Sequence, residues 1–269
     1  MKYYDAHNHL NDKRLEPYLD FICEEIVKIP VAAMVVNAAR ENQFEAIGNL
    51  SIKYKWIIPA FGVHPWYADK ASPNYTKNLK HAIDKYGGCV GEIGVDTYIK
   101  NHNIARQREI FTEQLKIAAE HNLPASIHCV KAWDLLLEIL NSTPLPASGI
   151  LIHSYGGLEP YIEPLVKLGA YFSFAGYFAR ENKVEQRESF KKIPLNRILV
   201  ETDAPDQLPP ESLIVHPLLE KTTGKPINSP LNLPAIYDYL AHLLNIEKTR
   251  FAAIVEENFM RLFGRFLKP

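Results

Sequence analysis

Eight short apolar runs, each followed by a segment whose apolar residues recur at helical spacing, predict an α/β chain folded as a (β/α)₈ TIM barrel. The runs are continuous rather than alternating, as at 31–36 (VAAMVV), which marks parallel strands covered on both faces. Helix and strand patterns alternate along the chain without a repeat, a low-complexity tract or a linker, so residues 1–269 read as one domain. Histidines and carboxylates collect at the C-terminal ends of the runs, where a barrel of this kind carries its chemistry.

The elements follow in order. Tyr3, Tyr4 and Leu10 flank a first strand that ends in His7 and His9. Leu19, Ile22, Cys23, Ile26 and Val27 fall at helical spacing before the strand at 31–36. Phe44, Ile47 and Tyr54 precede a strand at 56–63, and Leu79, Ala82, Ile83 and Tyr86 precede one at 89–95. Phe111, Leu115 and Ala118 lead to 125–129, and Trp133, Leu136, Leu137 and Leu140 lead to 149–152. Tyr161, Leu165 and Leu168 lead to 170–174, and a more polar helix at 183–192 leads to 198–200. Residues 205–234, with seven prolines, read as a loop over the barrel mouth; its many apolar residues argue against a solvated, disordered insertion. Ile236, Leu240, Leu243 and Leu244, then Phe259, Leu262 and Phe263, form closing helices. A doubly wound open sheet is the competing architecture, but no glycine-rich dinucleotide turn follows the first strand.

At 269 residues and 47% hydrophobic, the chain can bury a large core. Thirty basic residues against 31 acidic ones leave no global field to announce nucleic acid or a membrane. A local set of donors and metal ions can still hold phosphate. Cys23, Cys89 and Cys129 lie in apolar segments without metal-type spacing, as expected of buried thiols in a reducing compartment. No signal-peptide pattern or membrane-length run occurs, so a cytoplasmic location is expected. Oligomeric state leaves no trace in the sequence.

Residues two apart on a strand face the same way, so His7 and His9 can aim both imidazoles at one point. Other strand ends bring His64, Glu92 with Asp96, His128, His153, and Glu201 with Asp203. Each has a plainer explanation: a hydrogen-bonded core histidine for His128 or His153, a turn residue for His64, a helix cap for Asp203 and a supporting role for Glu201. Glu92 is the most telling, because a carboxylate inside the apolar run 89–95 needs a cation or several donors, and no Lys or Arg occupies the neighbouring strand ends. Four histidines and two carboxylates suit two divalent ions: His7 and His9 on one, His128 and His153 on the other, Glu92 between them, and Asp203 beside the attacking water. Nitrogen-rich ligation favours Zn²⁺ or Mn²⁺, with Mg²⁺ suited to the carboxylate side.

These motifs resemble the TatD family of metal-dependent deoxyribonucleases: DAHNH, GVHP, GEIGVD, LPASIH, IHSYGG, RILVETDAP and ENFMRLFG, in that order along almost the whole chain. The resemblance implies phosphodiester hydrolysis, with 3′→5′ removal of nucleotides from DNA and in some members from RNA. It implies that His7, His9, Glu92, His128, His153 and Asp203 are metal ligands and that Asp203 orients or deprotonates water. By the same likeness His64 lies behind the ligands or touches substrate phosphate, and Asp5 orients a ligand histidine. Where relatives carry Arg two residues after the fifth-strand histidine, this chain has Val130 and then Lys131, a point charge in place of a fork. Cys129, Ser154 and Ser229 also depart from the family pattern and put an altered substrate-facing surface in view.

Two other functions compete. A hydrolase of a small phosphoester or aminoacyl ester would use the same centre, and a binding protein without catalysis would need only the groove. A deep lid formed by 205–234 favours a small substrate and an open groove favours a strand. Trp66, Tyr67, Tyr98, Tyr155, Phe174 and Tyr177 are candidates to stack bases, although core or rim packing accounts for most such aromatics.

Overall fold

The computed structural model describes residues 1–100 and 103–267. All eight predicted strands form one parallel sheet in sequence order, β1 to β8. They are β1 (Tyr3–Asn8), β2 (Val31–Asn37), β3 (Ile57–Phe61), β4 (Cys89–Asp96), β5 (Ala125–Val130), β6 (Ile150–Ile152), β7 (Ala170–Ala175) and β8 (Ile198–Glu201). The helices between them are α1 (Leu19–Ile26), α2 (Phe44–Lys53), α3 (Tyr75–Tyr86), α4 (Ile104–Glu120), α5 (Trp133–Ser142), α6 (Ile162–Lys167) and α7 (Val184–Phe190). After β8 a short antiparallel hairpin, β9 (Leu218–Leu219) with β10 (Pro226–Ile227), precedes α8 (Leu233–Leu243) and α9 (Lys248–Phe263).

The expected continuity of burial holds: every residue of β1, β3, β4 and β7 is buried. Helices cover the outside of the sheet with the apolar faces read from their spacing, such as Phe111, Leu115 and Ala118 on α4. The strands must also approach one another closely near the site. Gly94 shows why: at φ +145° a Cβ there would lie 2.0 Å from the His128 carbonyl oxygen, so any side chain would push β4 away from β5. The glycine sets the distance between two strands that each carry a functional residue.

The sheet closes at the junction of β1 and β8, which excludes the open-sheet alternative. Two backbone bonds just past the strand ends join it, from Asp203 N–H to the His7 carbonyl (3.0 Å) and from His9 N–H to the Ala204 carbonyl (2.8 Å). Side chains supply the rest. The Asp5 carboxylate accepts the Thr202 N–H at 3.0 Å and the Thr202 hydroxyl at 2.6 Å. The Tyr237 hydroxyl of α8 accepts the Tyr4 N–H and donates to the Tyr4 carbonyl, both at 3.0 Å, standing in for a missing neighbour strand. On the β8 side, the Asn258 amide of α9 donates to the carbonyls of Leu195 and Ile198 at 2.8 Å each.

The loop at 205–234 is not the lid expected over the mouth. Only Asp206, Gln207 and Leu208 of it line the central cavity. Further on, Asn232 accepts the N–H groups of Val215 and His216, and the Leu219 carbonyl accepts from Tyr18, so the loop packs on itself and against the β1–α1 connection. Of its apolar residues, Leu218, Ile227 and Leu231 join the main core, while Val215 and Leu219 stay exposed. Among the described residues, no helix is long and apolar enough to cross a membrane.

Replacing Tyr237 with Phe is expected to leave the Tyr4 N–H and carbonyl unpaired in a dry environment, at a cost of about 1–3 kcal/mol. Urea unfolding of Tyr237→Phe beside the wild type measures this, and an unchanged midpoint would remove the hydroxyl from the closure.

Candidate metal centre

Glu92 projects from the middle of β4 into the mouth of the barrel, where its two oxygens face different histidines. Oε1 lies 2.8 Å from His153 Nε2, 2.9 Å from His128 Nδ1 and 3.2 Å from His64 Nε2. Oε2 lies 3.1 Å from His9 Nε2 and 3.5 Å from His7 Nε2. Asp203 closes the ring on the His7–His9 side, with Oδ1 3.6 Å from both Nε2 atoms. The residues expected from the sequence to bind metal therefore converge around Glu92, with the His7 and His153 rings stacked 3.9 Å apart so that the two expected histidine pairs adjoin.

Donor chemistry fits a divalent ion better than a set of mutual hydrogen bonds. Nitrogens face each other at 3.3 Å in two places, His7 Nε2 with His9 Nε2 and His128 Nδ1 with His153 Nε2. Two neutral imidazoles can share only one proton across such a gap. Three groups of ligand atoms lie within 4.8 Å of one another: His7, His9 and Glu92; His7, His153 and Asp203; and His64, Glu92 and His128.

The neighbours of each ring decide which nitrogen is bare. His9 Nδ1 is 3.0 Å from the Asn37 carbonyl, which can only accept, so a neutral His9 keeps its proton there and turns a bare Nε2 inward. His128 Nε2 is 3.2 Å from the Asp96 carboxylate, which likewise leaves Nδ1 bare toward Glu92. His64 is the reverse. Its Nδ1 accepts the Trp66 N–H at 3.1 Å, so the proton sits on Nε2, which points at Glu92. A neutral His64 thus offers an N–H to Glu92. His7 Nδ1 pairs with the Ser126 hydroxyl at 2.8 Å, and His153 Nδ1 lies 3.6 Å from Glu201.

Burial pushes His7 well below the usual imidazole range and His64 down to about 4, so both rings are neutral at pH 7. Burial also opposes charge on His9, His128 and His153, yet Glu92 and the other nearby carboxylates outweigh it and raise all three. Glu92 is buried too, but the surrounding histidines hold its carboxyl well below the ordinary range. Asp203 goes the other way: burial lifts it well above that range against the pull of His153 and His9.

Sharp turns at the strand ends aim these groups. Lys131, Ser154 and Asp203, just past β5, β6 and β8, all hold positive φ, at 52°, 45° and 50°. Such conformations cost roughly 1–3 kcal/mol each in non-glycine residues and cluster where a site dictates the backbone.

Some expectations change. Asp5 bonds no imidazole among the described residues; its carboxylate holds the His7 N–H, Asn8 and Thr202, and so orients the backbone of β1 rather than a ring. Ser229 is buried and accepts the Leu231 N–H, and it does not line the cavity, so its departure from the family pattern is not on the substrate-facing surface. Tyr155 and Phe174 are fully buried and cannot stack a base. Trp66, Tyr67, Tyr98, Tyr177 and Lys131 do line the cavity, whose volume is roughly 960 Å³. The sequence reading missed Asn37, Ser126 and the part played by Asp96. Asp96 stood in plain view at the end of GEIGVD, whereas a backbone carbonyl and a serine leave no mark in sequence. Asp96 also accepts the Trp66 indole N–H at 2.6 Å; burial opposes its charge, and His128 and Trp66 hold its carboxyl down at about 2.

Known proteins share this fold and sequence. The structure of the TatD homologue YjjV from Escherichia coli superimposes with a TM-score of 0.85 at 24% identity, covering 97% of this chain and 98% of that one. A Bacillus subtilis protein described as the uncharacterized metal-dependent hydrolase YabD is 27% identical, over 97% of this chain and 98% of its own. The 3′-5′ ssDNA/RNA exonuclease TatD of Shigella flexneri is 31% identical over 87% of this chain and 88% of its own length. The family model for TatD related DNases matches residues 4–264, and the chain belongs to that family.

Proposed function

We propose that the protein is a metal-dependent nuclease that removes nucleotides from the 3′ end of single-stranded DNA, with RNA as a second substrate. The observation that carries this reading is Glu92 between two groups of imidazoles on the floor of an open cavity. His7, His9 and Asp203 would hold one divalent ion with Glu92, and His128 and His153 a second, with Zn²⁺ and Mn²⁺ favoured by the nitrogen donors and Mg²⁺ by the carboxylates. When bound, such ions acidify water and neutralise charge on phosphoryl oxygens.

The chain's own groups do the rest. Asp203, beside the Nε2 atoms of His7 and His9, accepts a proton from the attacking water. The water oxygen joins phosphorus as the P–O3′ bond breaks, and the proton taken by Asp203 passes to the leaving 3′ oxygen. His64, with its proton fixed on Nε2, can donate to a phosphate oxygen, and Lys131 offers a point charge at the cavity wall. Asn37, Ser126 and Asp96 hold the rings of His9, His7 and His128. Because the loop at 205–234 leaves the mouth open, a strand suits it better than a small enclosed ester. The three cysteines are free and buried, in keeping with the reducing, cytoplasmic setting we assign.

A time course on end-labelled single-stranded DNA tests the proposal. Chelated protein is expected to be inactive and to regain a ladder of shortened products with Mn²⁺, Mg²⁺ or Zn²⁺; no cleavage with metal demonstrably bound would discard the substrate. Glu92→Ala is expected to lose metal, read by elemental analysis, and at least about 100-fold in rate, since ligand-supporting residues alone cost 10–100-fold. Full metal content at wild-type rate in that variant refutes the bridging role. Asp203→Asn is expected to lower turnover by about 10²–10⁴-fold while keeping most metal; unchanged turnover removes Asp203 from proton transfer.

A further inference from the structure

Five cations line the cavity: Arg14, Arg40, Lys131, Arg180 and Lys183. Two are tied down. Arg14 is held by the carboxylates of Asp12 and Asp206, and Arg180 donates twice to the Leu208 carbonyl. The other three pair with no carboxylate among the described residues, and each rests on a tyrosine that also lines the cavity. Arg40 lies 4.8 Å from the centre of the Tyr67 ring, Lys131 4.6 Å from Tyr98, and Lys183 4.8 Å from Tyr177. Elsewhere on the surface many cations have acid partners, for example Lys80 with Glu120, Arg108 with Glu138 and Lys248 with Asp238.

The three pairs are spread around the mouth. The first stands on the loops after β2 and β3, the second after β4 and β5, and the third after β7. The Glu92 ring lies on the floor of the cavity that they surround. A cation held against an aromatic face keeps its charge, and it remains available to an anion because no carboxylate claims it. Beside it, a tyrosine offers a surface for a flat ring. A phosphate and the base next to it are an anion and a flat ring at a fixed short spacing.

We infer that Arg40 with Tyr67, and Lys183 with Tyr177, are nucleotide subsites on opposite sides of the metal centre, with Lys131 and Tyr98 completing a track for a single strand. This rests on the reading of the site as a nucleic-acid hydrolase and adds to it that the strand is gripped on both sides of the bond to be broken. The favoured substrate is then single-stranded and longer than a dinucleotide. A duplex would hide its bases from the tyrosines.

The test is binding, so that it stands apart from cleavage. Full-length metal-loaded protein is titrated against a fluorescein-labelled single-stranded DNA with phosphorothioate linkages, which keep the charge and slow hydrolysis, and anisotropy is read over a range of salt. Arg40→Ala and Lys183→Ala are each expected to weaken binding several-fold and to flatten the dependence of log Kd on log salt by about 0.7 per cation removed. Tyr67→Ala and Tyr177→Ala are expected to raise Kd roughly 5- to 100-fold through lost stacking. Lys85→Ala, which breaks a cation–tyrosine pair that does not line the cavity, serves as the control and should leave Kd unchanged. Arg40 and Lys183 make no side-chain hydrogen bond or ion pair among the described residues, so their loss does not threaten the fold. Wild-type affinity and salt slope in the two alanine variants overturn the assignment, as does absence of binding by the wild type. Inorganic polyphosphate displacing the strand at equal phosphate concentration overturns the role of the tyrosines. A strand that binds with the expected losses but is never cut upholds the track and refutes the nuclease.

Discussion

The Asp5 carboxylate lies buried between β1 and β8, bonded to Thr202 on one side and to the backbone at His7 on the other. On this junction the donor ring depends. His7 belongs to the first strand, His9 follows it directly and Asp203 lies in the turn after the last, so they meet only if the sheet closes. The closure uses side chains because few in-register backbone bonds span it. Asp5, Tyr237 and Asn258 each satisfy main-chain groups that a longer ladder would otherwise pair. Fold and site are therefore one problem: groups that seal the barrel also fix the direction of its first two histidines.

Much of this was legible in the sequence. Alternating strand and helix patterns gave all eight strands to within a few residues, because buried parallel strands must be continuously apolar. His7, His9, Glu92, His128, His153 and Asp203 could be named because ionisable residues interrupting such runs are costly unless they serve something. The course of 205–234 was not legible. Proline content shows that the segment is irregular, but its direction is set by distant contacts such as Tyr18 with Leu219 and Asn232 with Val215. The second partners of the rings were hidden for a similar reason. Asn37 contributes a carbonyl that every residue possesses, and only its position matters.

Imidazoles in the ring carry different assignments through their outer nitrogens. An acceptor behind His9 or His128 leaves the inner nitrogen bare, while a donor behind His64 leaves the inner nitrogen protonated. The same side chain thus turns a bare nitrogen inward in two places and a protonated one in a third, and the choice is made by a carbonyl, a carboxylate and a backbone N–H. Three histidines at matching strand ends look alike in sequence, and the difference between them is one atom deep in the structure.

The distribution of the ring along the chain has a consequence for synthesis. Ribosomes add residues from the N-terminus onward, so His7 and His9 emerge before the seven strands that precede Asp203. Until β8 docks against β1, the emerging polypeptide holds an incomplete set of donors on a sheet without its last edge. The donor ring is thus complete only once the last strand meets the first.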